Sequence, residues 1–199
     1  MQAIWDAKFG LLSDEMCDKI ITEALKYPEQ DGLVGQDTYD EGFRKSKIRH
    51  LDLLLSKEIS DLVWFYVQSS NKQFYNFDIH SLEPLQYGEY HADYGGHFDW
   101  HRDFYWHINT PEVYQRKLTV SIQLSDPKDY DGGDFEIELD DKYSEDDDSG
   151  VSWSNLEKHW PRARGTIIIF PAWMKHRVTP VTRGVRKSLT TWVDGPKFR

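Results

Sequence analysis

From Asn76 onward, apolar residues recur at every second position in short runs broken by Gly, Pro and Asp, a pattern that few architectures accept. Runs near Ile79–Tyr90, His97–Asp103, Lys117–Leu124, Asp134–Leu139, Thr166–Phe170, Arg177–Val181 and Arg186–Val193 read as strands. Asp131-Gly132-Gly133 and Arg183-Gly184 read as turns between them. Two helical stretches come first. Ser13 reads as a cap with Asp14 and Glu15 in the first turn, and Met16, Ile20, Ile21, Ala24 and Leu25 follow at helical spacing until Pro28. Leu53 to Phe74 carries a second stripe of Leu55, Ile59, Leu62, Val63, Tyr66 and Val67. The expected class is mainly β with flanking helices (α+β): two stacked sheets with helices on one outer face. One domain over residues 1–199 is expected, with a helical support region over 1–75 and the β core over 76–199. A pocket between the sheets can hold a small ligand.

Aromatic residues make up 15% of the chain, which suits a β interior with a lined pocket. The formal charge of −10 repels a phosphate backbone, so no nucleic-acid partner is expected. Cys17 is the single cysteine, so no internal disulfide forms. The first residues lack the basic-then-apolar plan of a secretory leader, and runs such as Thr166–Phe170 are too short to span a bilayer. The expectation is a soluble cytoplasmic protein with no membrane partner. Asp31 to Gly42 reads as a loop. Arg44 to Arg49 reads either as a solvated edge strand or as a brace for substrate or core, and Asp140 to Ser149 as a solvated hairpin loop.

The chemistry concentrates in Gly95-Gly96-His97-Phe98-Asp99-Trp100-His101-Arg102-Asp103. Residues i and i+2 of a strand share a face, so His101 and Asp103 project together and Arg102 points away. With a second imidazole from a distant strand they make a two-His-one-carboxylate face, which suits iron(II) and leaves adjacent positions open. His176, beyond the buried run Gly165–Pro171, is the candidate third ligand. The rival pair His97 and His101 would lie about 13 Å apart on a strand, too far for one metal. Arg186 brings a guanidinium fork that matches a carboxylate in two parallel bonds. Ser188, Thr190 and Trp192 share its strand face, as hydroxyl contacts and an aromatic wall.

These residues carry a resemblance to the iron(II)- and 2-oxoglutarate-dependent dioxygenases, in the prolyl 4-hydroxylase-like branch. Leu11 to Asp18 resembles the opening helix of that family, and Arg44-Lys45-Ser46 its basic segment. Gly95 to Asp103 resembles the first metal-binding strand, Lys117–Val120 and Asp131–Phe135 the middle strands, and His176 to Arg186 the closing motif. The resemblance implies a double-stranded β-helix (jelly-roll, cupin-like) core with iron on His101, Asp103 and His176. It implies 2-oxoglutarate held at its distal carboxylate by Arg186, O2 as cosubstrate and ascorbate as reductant. Tyr90 resembles the tyrosine that hydrogen-bonds the cosubstrate, with Tyr87 as its competitor. Collagen-type members carry Lys where Arg186 stands. Gln123 stands where oxygen-sensing members have a tyrosine, and that role is not carried over.

The implied reaction hydroxylates a substrate C–H bond, with peptidyl proline as the expected target, and releases succinate and CO2. Trp192, Trp100 and the run Phe104-Tyr105-Trp106-His107 would shape the substrate cleft. A free amino acid or another small molecule is the alternative substrate. A non-catalytic metal- or ligand-binding jelly roll would not need both the triad and a spaced arginine. A zinc hydrolase would want a general-base Glu near the ligands.

Overall fold

The computed structural model describes residues 5–33, 40–54, 56–104, 114–138 and 162–197. In chain order it contains β1 (Asp6–Lys8), α1 (Asp14–Ala24), β2 (Gln30–Asp31), β3 (Arg44–Lys45), β4 (Lys47–Leu51) and α2 (Lys57–Ser70). There follow β5 (Ser81–Leu82), β6 (Leu85–His91), β7 (His97–His101), β8 (Tyr114–Gln123), β9 (Tyr130–Gly132) and β10 (Phe135–Ile137). The chain closes with β11 (Ile167–Pro171), β12 (His176–Val178) and β13 (Val181–Pro196).

Local chemistry sets the helices. The Ser13 hydroxyl accepts from the Met16 amide at 3.2 Å, capping α1 above Asp14 and Glu15. Cys17, Ile20 and Ala24 form its buried stripe. Ile59, Val63 and Val67 do the same for α2, which begins four residues later than the apolar stripe suggests. Its end widens into a π-turn over Asn71–Tyr75. Asn71 closes that turn by accepting from the Phe77 amide and donating to the Phe77 carbonyl, both at 2.9 Å.

The strands form two sheets. The larger runs β1-β11-β8-β13-β6-β4-β2, with β5 and β9 also on β13, and the smaller runs β10-β12-β7-β3. This is the double-sheet core expected of the sequence, with a difference in its N-terminal third. Residues 1–75 are not purely helical: β3 is an edge of the small sheet and β4 pairs with β6 in the large one. The Arg44–Arg49 segment is thus sheet, and its Arg44 is buried.

Every second residue of the large sheet faces the helices. Leu118, Val120 and Ile122 of β8, Ile167 and Ile169 of β11, and Leu85 and Tyr87 of β6 pack with α1 and α2 residues in one core. The alternate residues face the small sheet, where Ile168, Phe170, Phe135, Val178 and Tyr90 form a second core. Burial on both faces explains why β8 and β11 read as near-continuous buried runs. Truncating any one of these large aliphatic side chains to Ala would cost about 2–5 kcal/mol.

Three boundaries differ from the sequence reading. The first metal-motif strand stops at His101, and Asp103 lies in the bend beyond it, its amide donating to the Ala172 carbonyl at 3.0 Å. The Ile79–Tyr90 run splits into β5 and β6. Arg183-Gly184 is not a turn: Gly184, at φ 69°, lies inside β13 where the register slips against β9. A Cβ there would stand 1.9 Å from the Asp129 carbonyl oxygen, so the strand bends without breaking at a residue that has none. Asp140–Ser149 lies outside the described residues. Among the described residues no helix is long and apolar enough to cross a membrane.

Candidate metal centre and anion clamp

The cavity between the two sheets has a volume of about 420 Å³ including its open mouth. The small sheet brings two imidazoles to it. His101 at the end of β7 and His176 at the start of β12 are direct cross-strand partners, with ring centroids 4.2 Å apart. Each ring is oriented the same way. His101 Nδ1 lies 2.7 Å from the Asp99 carbonyl and His176 Nδ1 lies 2.9 Å from the Met174 carbonyl. A carbonyl only accepts, so both Nδ1 atoms carry a proton and Nε2 is the nitrogen that each ring presents for ligation.

Both Nε2 atoms face Asp103. His101 Nε2 is 3.7 Å from Oδ1 and His176 Nε2 is 3.4 Å from Oδ2. One ligand atom from each of the three residues lies within 4.8 Å of the others. Burial, then the neighbouring His176, pushes the His101 pKa down to about 4, so this ring is neutral at neutral pH. Burial pushes the Asp103 carboxyl up, but His176, His101, Arg116 and the Thr119 hydroxyl together hold it below the usual carboxylate range. Thr119 Oγ1 donates to Asp103 Oδ2 at 2.7 Å. Phe98 stacks on His101 at 3.5 Å between centroids and 13° between planes, covering one face of the ring.

The large sheet supplies a polar wall. Tyr90 of β6, Arg186, Ser188, Thr190 and Trp192 of β13, and Thr119 and Ser121 of β8 line the cavity. Register places Arg186 opposite Tyr90, and Thr190 beside Ser121. Arg186 is 1% exposed, and its guanidinium carbon sits 5.4 Å from the Tyr90 ring centroid. Alternation separates the two tyrosine candidates. Tyr90 lines the cavity, whereas Tyr87 faces the helix-side core and donates to Glu89 at 2.7 Å.

The expected substrate residues divide. Trp192 lines the cavity with Arg116 stacked on its ring at 3.8 Å, and its indole Nε1 is buried with no partner among the described residues. Trp100 does not line the cavity: it neighbours His101 on β7 and lies under Arg177 and Lys175. Phe104 is buried and also off the cavity wall, and residues 105–107 lie outside the described residues.

Two contributors escaped the sequence reading: Thr119 steadies the carboxylate and Phe98 shields an imidazole, while Arg44, in the segment read as edge strand or brace, reaches the cavity wall from β3. A signal existed for the first: Thr119, Ser121 and Gln123 alternate with Leu118, Val120 and Ile122, a polar face on a strand buried on both sides.

The donor set tests what the cavity can hold. Two imidazole nitrogens and a carboxylate, without a thiolate, fit iron(II). Arg186 Nε is a buried donor without a partner among the described residues, as a clamp for a carboxylate would be. No described Glu lines the cavity, so the general base of a zinc hydrolase is missing from its described wall.

Comparison with known proteins points the same way. The sequence model of the 2OG-Fe(II) oxygenase superfamily matches residues 85–194. A PKHD-type hydroxylase of Pseudomonas putida (strain W619) is 30% identical over 186 residues, covering 87% of this chain and 71% of that protein. A PKHD-type hydroxylase of Synechococcus sp. (strain JA-2-3B'a(2-13)) is 31% identical over 87 residues. That match covers 44% of this chain and spans 33% of that relative's length. A viral collagen prolyl hydroxylase from Paramecium Bursaria Chlorella virus-1, solved as its 2OG complex, superposes with TM-score 0.66 at 19% identity, covering 97% of each chain. A prolyl hydroxylase from Trichoplax adhaerens, solved with a hypoxia inducible factor peptide fragment, gives TM-score 0.70 at 16% identity. That likeness covers 96% of this chain and 83% of the other. At such identities the two structures speak for the fold.

Proposed function

This chain belongs to the 2OG-Fe(II) oxygenase superfamily, and from that premise we propose that it hydroxylates a prolyl C–H bond within a peptide. One observation carries the reading. Two Nε2 atoms and a buried carboxylate converge at one end of a cavity whose wall holds an enclosed arginine. The prolyl and peptide parts draw on what the relatives are called, on the peptide bound to the Trichoplax enzyme, and on an aromatic wall at Trp192 on which a proline ring would pack.

His101, Asp103 and His176 hold the iron in this reading. When bound with 2-oxoglutarate and O2, the metal supplies the oxidising chemistry that places a hydroxyl on the substrate and releases succinate and CO2. The chain itself positions and excludes. The Asp99 and Met174 carbonyls keep both rings in the ligating tautomer, and Thr119 fixes one carboxylate oxygen. Arg186 takes the distal carboxylate of the cosubstrate with Tyr90 beside it. Phe98 keeps water from one face of His101.

The test is incubation with iron(II), 2-oxoglutarate, ascorbate and a library of proline-containing peptides. A gain of one oxygen on a peptide, matched by succinate and lost in Asp103→Ala, is the expected result. Succinate release coupled to a free amino acid alone would move the substrate class. Succinate release unaffected by Asp103→Ala would refute the assigned centre.

A further inference from the structure

Arg186 is enclosed, so its donors must find acceptors inside the protein. Nη2 donates to Gln123 Oε1 at 2.8 Å and Nη1 to Ser188 Oγ at 3.3 Å. Both acceptors are neutral. No carboxylate pairs with Arg186 among the described residues, so its charge is held in place without being cancelled. Donors also outnumber acceptors here: Arg186 Nε and Gln123 Nε2 are both buried without a partner among the described residues. A guanidinium only donates, so the Gln123 amide must turn its oxygen to Arg186. The scaffold fixes this contact, because Gln123 on β8 lies directly opposite Ser188 on β13, on the strand that carries Arg186.

We propose that Gln123 is a positioning residue that sets the cavity's preference for a dicarboxylate: it locks the Arg186 fork through a neutral oxygen and leaves the positive charge for the ligand's distal carboxylate. The neutrality matters as much as the bond. A glutamate of the same length would keep the contact but form a buried ion pair. The clamp would then be satisfied internally, and a second carboxylate would meet a neutral pair. This inference rests on the reading of Arg186 as the cosubstrate clamp.

The experiment is calorimetric titration of the full chain loaded with manganese(II), which binds without turnover. The ligands are 2-oxoglutarate and 2-oxopentanoate, which has the same chain length and a methyl group in place of the distal carboxylate. The parent protein should prefer 2-oxoglutarate, and Arg186→Ala should lose that preference. Failure of either arm refutes the clamp and the present inference together. With both satisfied, Gln123→Glu should weaken 2-oxoglutarate at least about tenfold, a change of about 1.4 kcal/mol. It should also bring the two ligands close to parity while manganese affinity and the unfolding midpoint hold. A Gln123→Glu protein that keeps the parental preference would overturn the proposal. Gln123→Leu frees Nη2 but leaves the charge, so 2-oxoglutarate should weaken about three- to tenfold with its preference retained. Parental affinity in that variant would also overturn it.

Discussion

Thr119 Oγ1 donates to Asp103 Oδ2, the same oxygen that faces His176 Nε2 at 3.4 Å. The hydroxyl therefore fixes the rotamer of the one carboxylate in the triad, across 16 residues of chain. Thr119→Val keeps the shape of the side chain and removes the donor. Partners of this kind are worth about 10–100-fold in metal affinity. Titration with iron(II) or manganese(II) should show that loss while the fold, read by circular dichroism, is kept. Unchanged metal affinity would mean that Asp103 is held by its backbone alone.

Arg186→Lys separates charge from geometry at the clamp. Lysine keeps the positive charge but presents a point donor instead of a planar fork. It also gives up the bond to Gln123 Oε1. The 2-oxoglutarate requirement for succinate release should rise about tenfold or more, with iron binding intact. An unaltered requirement would place the cosubstrate's distal carboxylate elsewhere.

Tyr87 and Tyr90 stand three residues apart on opposite faces of β6. The Tyr87 hydroxyl donates to Glu89, whose carboxyl lies below its ordinary value. Burial alone would raise it, and Tyr87, His91 and Lys187 outweigh that effect. A carboxyl depressed in the folded state stabilises above its unfolded pKa, and the benefit fades as pH falls through the folded value. Tyr87→Phe should therefore cost about 1–2 kcal/mol near neutral pH and move acid unfolding to higher pH. It should leave 2-oxoglutarate use alone. Tyr90→Phe should show the reverse, a raised 2-oxoglutarate KM with little loss of stability. If both variants perturb stability alone, Tyr90 has no contact with the cosubstrate.

Much of the site could be read from alternation. Period-two spacing placed Arg186, Ser188, Thr190 and Trp192 on one face, and that face is the cavity wall. The same rule applied to His101 and Asp103 named a pair that the structure brings together by another route, since the strand ends at His101 and a bend carries Asp103. Trp100 shows the limit of proximity in sequence: although it is the neighbour of His101, its ring lies against Arg177 and Lys175 and not on the cavity wall. The strands at residues 6–8 and 30–31 escape the sequence reading, and those at 44–51 enter it only as one of two alternatives, for a physical reason. They are two to five residues long and rely on partners such as β6 and β7, so no local period announces them. The contacts that hold the site, Thr119 to Asp103 and Gln123 to Arg186, are tertiary and leave at most a polar residue on a buried strand as their trace.

Gly133 gives the last prediction, through packing rather than chemistry. It sits at φ 61° just past β9, where a side chain is strained whatever the space. A Cβ there would also stand 2.8 Å from Val181 Cγ2 and 3.0 Å from Arg186 Cδ. The Arg186 stem cannot yield freely, because its head is tied to Gln123 and Ser188. Gly133→Ala should therefore lower stability by about 1–3 kcal/mol and raise the 2-oxoglutarate requirement together. Gly10, at φ 54°, supplies the control, since a Cβ there would meet its nearest neighbour, the Arg164 carbonyl oxygen, at 3.9 Å. Gly10→Ala should carry the backbone strain without the change in cosubstrate use. Equal effects of the two variants on the 2-oxoglutarate KM would show that the β9–β10 turn does not help to aim the arginine.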